Sequence, residues 1–196
     1  MSDSGRPPGR AALGMREMIG ALAVLLVIVG VLAAVTRGCS FDPGAPSANP
    51  SSAPTVDAAA KLDQAAASVS FPVRRPALPA SWHANSASTT PVGAGAAADV
   101  IVRVGWLTPG GRYVQLSQSG GGTGDVVAEE TGIETKATGS ESVDGTAFAT
   151  YPSRRDEVAW VASLDGAVVL ITGHATEREF RELAAAVVAA KPLPGR

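Results

Sequence analysis

A chain of 196 residues with 16 Lys plus Arg against 18 Asp plus Glu carries a formal net charge of -2, so it offers no broad basic face for nucleic-acid phosphates. Hydrophobic residues make up 45%, enough for one domain plus appendages, and the single cysteine, Cys39, excludes an internal disulfide and a cysteine-ligated zinc. The basic residues are 13 Arg and 3 Lys, a bias that, with abundant Ala and Gly, looks like translation of GC-rich DNA.

Residues 18–36 read MIGALAVLLVIVGVLAAVT, 19 positions without a charge. As a helix they span about 28 Å, close to the roughly 30 Å hydrocarbon thickness of a bilayer. Eleven of them are Leu, Ile or Val, and each favours insertion by about 0.3–0.6 kcal/mol. Arg6, Arg10 and Arg16 precede the run and only Arg37 closely follows it. The excess of positive charge predicts a cytoplasmic tail over 1–17, one transmembrane helix over 18–36, and a C-terminal part outside the cytoplasm at the cell membrane. The run is too long for the core of a signal peptide, and Thr36-Arg37 before Gly38-Cys39 makes a poor lipoprotein site. The lipid bilayer is therefore an expected partner through 18–36, and Gly30 with Ala34 forms a small-xxx-small pair suited to a weak homodimer.

Residues 37–56, dominated by Pro, Ser and Ala, read as an extended linker. The domain proper is expected over 57–194. Asp57 to Val69 is Ala-rich without Gly or Pro and predicts a short helix. Three prolines between Phe71 and Pro79 then favour extended backbone leading to Trp82.

Val100, Val102, Val104 and Trp106 alternate with Ile101, Arg103, Gly105 and Leu107, the period-two signature of a strand. A second strand follows over Tyr113 to Gln118. Between them Thr108-Pro109-Gly110-Gly111 places Pro and Gly at the two central positions of a type II turn. Gly120 to Gly124 reads as a flexible loop, since it lacks the Gly-Lys-Ser/Thr ending of a nucleotide cradle. A third strand is expected from Val143 to Tyr151, with Asp144-Gly145 as a bulge or turn. Val158 to Leu164 and Ala167 to Thr172 form a hairpin around Asp165-Gly166, a type I′ pair. Thr176-Glu177-Arg178-Glu179 is a capping box, and Phe180, Leu183, Ala184, Val187 and Val188 make one apolar stripe on the helix it starts, which Lys191-Pro192 ends. The fold class is α+β: an antiparallel sheet of about four to six strands with the C-terminal amphipathic helix on one face.

Pro76-Ala77-Leu78-Pro79-Ala80-Ser81-Trp82, the run Gly105 to Val114, a Trp-bearing hairpin and the closing Gly173-His174-Ala175-Thr176 helix start together resemble one known family. The chain is similar over nearly its whole length to an actinobacterial single-pass membrane family catalogued as domain of unknown function 4245. That resemblance implies the anchor and the domain limits; the family has no assigned activity.

No catalytic, cofactor-binding or metal site is expected. His83 and His174 are the only neutral-pH bases, and neither has a nucleophile motif nearby in sequence. Glu129, Glu130, Glu134 and Glu141 are scattered carboxylates of a polar stretch without calcium-loop spacing. Trp82, Trp106, Tyr113 and Trp160 are read chiefly as core anchors, and they are also the candidates for contact with a partner or ligand. The leading expectation is a membrane-anchored, extracytoplasmic binding or interaction module of the cell envelope, facing an unknown envelope protein. The alternatives are a carrier or sensor of a lipid or other apolar ligand in a helix–sheet pocket, and an enzyme of unknown class.

Overall fold

The computed structural model describes residues 18–29, 54–95 and 98–194. Two compact units divide the chain, Met1–Ala45 and Pro46–Arg196. In the first, residues 18–29 form helix α1, and every large apolar side chain along it is exposed. Among the described residues no helix is long and apolar enough to cross a membrane. Residues 30–36, with the Gly30–Ala34 pair, and Cys39 lie outside the described residues.

The second unit is α+β, as the periodicities require. Its elements are α2 (Ala58–Ala66), β1 (His83–Val92), β2 (Asp99–Leu107), β3 (Tyr113–Ser119), α3 (Thr123–Thr131), β4 (Gly139–Val143), β5 (Thr146–Pro152), a 3₁₀ turn (Arg154–Asp156), β6 (Val158–Leu164), β7 (Ala167–Gly173) and α4 (Glu177–Ala189). The strands form one antiparallel sheet in the order β1-β2-β3-β7-β6-β5-β4. Seven strands exceed the four to six expected from the alternation. β1 adds one because its sequence, HANSASTTPV, is a polar edge strand with no apolar period to detect. β4 adds the other: Asp144 and Gly145 both take positive φ and form a type I′ turn, so the strand expected from Val143 starts at Thr146 as β5 and the residues before the turn, Gly139–Val143, pair back on it as β4.

Asp165 and Gly166 also take positive φ, so the β6–β7 hairpin has the turn its sequence demands. The β2–β3 turn is a correction. Gly111 N–H donates to Thr108 C=O at 2.8 Å, but the residue with positive φ is Gly111 rather than Gly110. The connection is thus a type I turn closed by a left-handed glycine, which matches strand twist better than the type II turn would.

Period-two alternation sends the two sides of the sheet into separate clusters. Val102, Val104, Trp106, Val114, Leu116, Val169, Ile171, Trp160 and Phe148 meet α2 and α4 on one face. Ile101, Ala159, Val161, Val168 and Leu170 meet Val126 and Val127 of α3 on the other. Helix α3 also corrects the reading of Gly120 to Gly124 as loop, since Thr123 and Gly124 are its first turn, Gly122 its N-cap and left-handed Gly132 its C-cap. Burial of Val126 and Val127 outweighs the poor helix propensity of Gly124.

Helix α2 starts at an Asp57 cap whose side chain accepts from Ala60 N–H, and it buries Leu62, Ala65 and Ala66. Helix α4 has both halves of its capping box formed and buries Phe180, Leu183, Ala184 and Val187. Phe180 packs 5.5 Å from Trp160, centroid to centroid, and Trp160 packs 6.4 Å from Phe148. Replacing Phe180 by Ala removes one end of this aromatic stack, the ring that joins α4 to Trp160, and is expected to cost about 3–5 kcal/mol in urea unfolding of the full chain. The Glu179 carboxylate gives a pH signature. Partial burial pushes its pKa up, but hydrogen bonds from the Thr108 hydroxyl and from the Thr176 amide and hydroxyl outweigh that and hold it below the ordinary glutamate value. A depressed acid stabilises the fold above the usual glutamate range and loses that contribution as pH falls through the lowered value. The stability gap between wild type and Glu179→Gln, followed by thermal melts, should therefore be full at neutral pH and close on acidification below the ordinary glutamate range.

Candidate functional site

An opening of about 550 Å³ lies on the α4 face where the helix start leaves the β5–β6 end of the sheet uncovered. Trp160 and Phe180 line its inner part, and Val158, one of the two exposed large apolar residues of this unit, lies beside them. Carboxylates ring the opening: Glu141, Asp156, Glu157 and Glu177. Arg181 bridges two of them, reaching Glu141 and, at 3.0 Å, Glu177, while its guanidinium stands 5.5 Å from the centre of the Trp160 ring. Hydrogen bonds to both carboxylates raise the pKa of Arg181, against slight desolvation.

A second groove of about 310 Å³ runs between α2 and the proline-rich segment, with Trp82 and Trp106 among its walls. Both indoles are nonetheless core groups, 6% and 4% exposed, as is Trp160 at 4%. The Trp82 ring N–H donates to the Glu182 carboxylate at 3.2 Å, which ties the loop before β1 to α4. Trp82, Trp106 and Trp160 therefore border grooves while exposing little of their rings to solvent.

Tyr113 lies on the α3 side. Its ring crosses Gly105, where a Cβ would collide with the phenol and with the Ser86 hydroxyl, so the strand must carry glycine there. The phenol donates to Gln115 Oε1 at 3.0 Å and shares a 3.2 Å bond with Ser86. Burial raises its pKa, partly offset by the Ser86 bond.

Tyr113 belongs to a polar network that one-dimensional reading missed, because its members come from β1, β2, β3 and α3. Arg103 Nε donates to Glu130 Oε1 at 2.6 Å, with side-chain exposures of 14% and 3%, and its other nitrogens reach Thr90 and Glu129. Gln115 Nε2 donates to the second Glu130 oxygen at 2.8 Å and to Ser117 at 3.0 Å. The one clue in the sequence is Arg103, a charge at an inward-alternating position of an otherwise apolar strand. Every member has a partner, so the network fixes α3 on the sheet rather than holding a reactive group poised.

The remaining candidates stand apart. His83 shares a 3.1 Å bond with Thr55, and His174 Nε2 accepts the Tyr113 backbone N–H at 3.3 Å, a clip between β3 and the end of β7. Glu129 and Glu130 lie on α3, Glu134 borders an opening beyond that helix, and Glu141 sits on β4. Among the described residues no group of three or more His, Cys, Asp or Glu side chains is gathered as a ligand set.

Breaking the buried pair should be costly whereas replacing it should not. Glu130→Ala leaves Arg103 buried with one distant carboxylate and is expected to destabilise by about 3 kcal/mol; Arg103→Met with Glu130→Leu should recover most of that loss. A double-mutant cycle from urea unfolding checks both outcomes.

No curated protein and no solved structure matches the chain. A family model described as "Protein of unknown function (DUF4245)" matches residues 10–187, which include α1, the whole sheet and most of α4. On that match over most of its length, the chain belongs to the family DUF4245.

Proposed function

We propose that this chain is a single-pass membrane protein whose α+β unit is an extracytoplasmic binding module of the cell envelope. The observation that carries this reading is a contrast in exposure. Between Ala58 and Ala189 the described large apolar side chains are buried or half-buried except Ile133 and Val158, whereas α1 exposes all of its own, from Met18 to Val29. Such a surface is stable only in apolar surroundings. The uncharged run continuing to Thr36 gives it the length a bilayer needs, and Arg6, Arg10 and Arg16 assign the cytoplasmic end. Binding rather than catalysis is favoured because the ordered polar groups are used in holding elements together, with neither histidine beside a nucleophile and an orienting acid.

A second reading, an apolar-ligand carrier, draws on the roughly 550 Å³ opening beside Trp160 and Phe180. Its four carboxylates make it a poor chamber for an acyl chain, whose burial needs an apolar lining.

Cys39 makes the topology testable on the native chain, because it lies three residues beyond Thr36 and is the sole thiol. In intact cells a membrane-impermeant maleimide should label it, and the protein should remain with the membrane after alkaline extraction. Labelling only after lysis, or release into the aqueous fraction, would defeat the proposed orientation or the anchor.

A further inference from the structure

The two edges of the sheet are not equivalent. β4 offers five residues, and its Ser142 carbonyl is occupied by Arg181. β1 offers ten residues, His83–Val92, without a single Lys, Arg, Asp or Glu; Pro91 removes one donor, and a register shift between Ala84 and Ser86 leaves Ser86–Thr90 as its regular stretch. Natural edges are ordinarily blunted by charge, shortness or cover. Here the outer side of β1 receives one backbone hydrogen bond from the described residues, Val56 N–H to Ala84 C=O at 3.0 Å. Extended backbone thus already adds to this edge at one end, and the stretch from Ser86 to Thr90 continues the same edge.

A groove of about 330 Å³ lies directly beside that stretch, between β1–β2 and α2. Ala87 and Thr89 stand opposite Val104 and Val102 in the register and line it with them. Ala65 and Val69 form the opposite wall, and Lys61 stands over it. Lys61 makes no ion pair among the described residues, and the Arg103 guanidinium points to the other face of the sheet, where Glu130 and Glu129 of α3 hold it.

We infer that β1 is a strand-addition site for an extended segment of a partner protein, one whose alternate side chains place a large aliphatic residue in this groove and a carboxylate against Lys61. Backbone hydrogen bonds to the open edge supply affinity, and the groove reads every second residue, about 6.7 Å apart along a strand. A second copy of this chain pairing through β1 fits less well. Its own groove-side residues, Ala87 and Thr89, are too small to fill the space, and β1 has no acid to offer Lys61. The inference deepens the binding-module reading and rests on it, but it is independent of where the module resides.

The probe is the blocked heptapeptide Ac-Ser-Glu-Thr-Leu-Thr-Val-Ser-NH2, with Glu, Leu and Val on one face, added to the full chain in detergent micelles. Fluorescence anisotropy should show saturable binding, and amide exchange should slow at Ser86–Thr90 but not along β4. N-methylation of the peptide nitrogens facing β1 should abolish binding. Lys61 is exposed, so Lys61→Glu should leave the fold intact; it should weaken binding about five- to tenfold and favour the peptide with Lys in place of Glu. The site is overturned by no binding at millimolar peptide, by protection at β4 or elsewhere in place of β1, by indifference to N-methylation, or by protection of β1 through self-association without peptide. Binding with Cys39 labelled only after lysis would remove the extracytoplasmic address and keep the site; correct labelling without binding would do the reverse.

Discussion

The contact between the stripe of α4 and the middle of the sheet is what the rest of the domain depends on. One cysteine forbids an internal crosslink, so cohesion comes from apolar burial, and both fully buried phenylalanines, Phe148 and Phe180, lie on this face with Leu183, Leu116 and Ile171. Each such group contributes about 1.5–3 kcal/mol when withdrawn from water. The helix is positioned at its start by the Thr176–Glu179 capping box and at its end by an arginine from a distant segment.

That arginine, Arg74, joins pieces far apart in sequence. Its guanidinium binds the Ala190 carbonyl at the C-terminal end of α4 and the Asp165 carboxylate in the β6–β7 turn. A cation at a helix C-terminus also meets the negative end of the helix dipole. The Arg74 backbone exchanges hydrogen bonds with the buried Gln118 amide, at 2.7 and 2.9 Å. Gln118 has a buried position on β3 because the extended segment needs a partner there; an apolar residue would leave the Arg74 amide and carbonyl unsatisfied in the interior. Proline-rich sequence that can form neither helix nor a full strand is in this way made part of the core.

The legible parts of this fold are those whose cause is local. The Asp165-Gly166 turn, the Thr176 cap, the α4 stripe and the alternation of β2 are each set by a handful of neighbouring residues, and each forms as its residues require. What escaped reading has its cause elsewhere. β1 is polar because it is an edge with one partner, so no period marks it. α3 is helical because the sheet needs cover on its second face, a demand invisible in Gly122-Thr123-Gly124. The Arg103–Glu130 network draws its members from four elements and exists only after they assemble. Trp106 and Trp160 were legible as core by the alternation of their strands, whereas Trp82, outside any element, and the grooves beside all three depend on tertiary packing.

Strand order also carries a consequence for the birth of the molecule. β7 is the middle strand of seven, yet it is the last strand made, and β3 must wait for it across a separation of 49 to 59 residues. Until Ala167 to Ala189 emerge, the N-terminal three-stranded meander has no centre to join and no lid on its apolar face. Such non-local closure is slow, and it leaves sticky surface uncovered meanwhile. The nascent chain is therefore held back from premature compaction by its own topology.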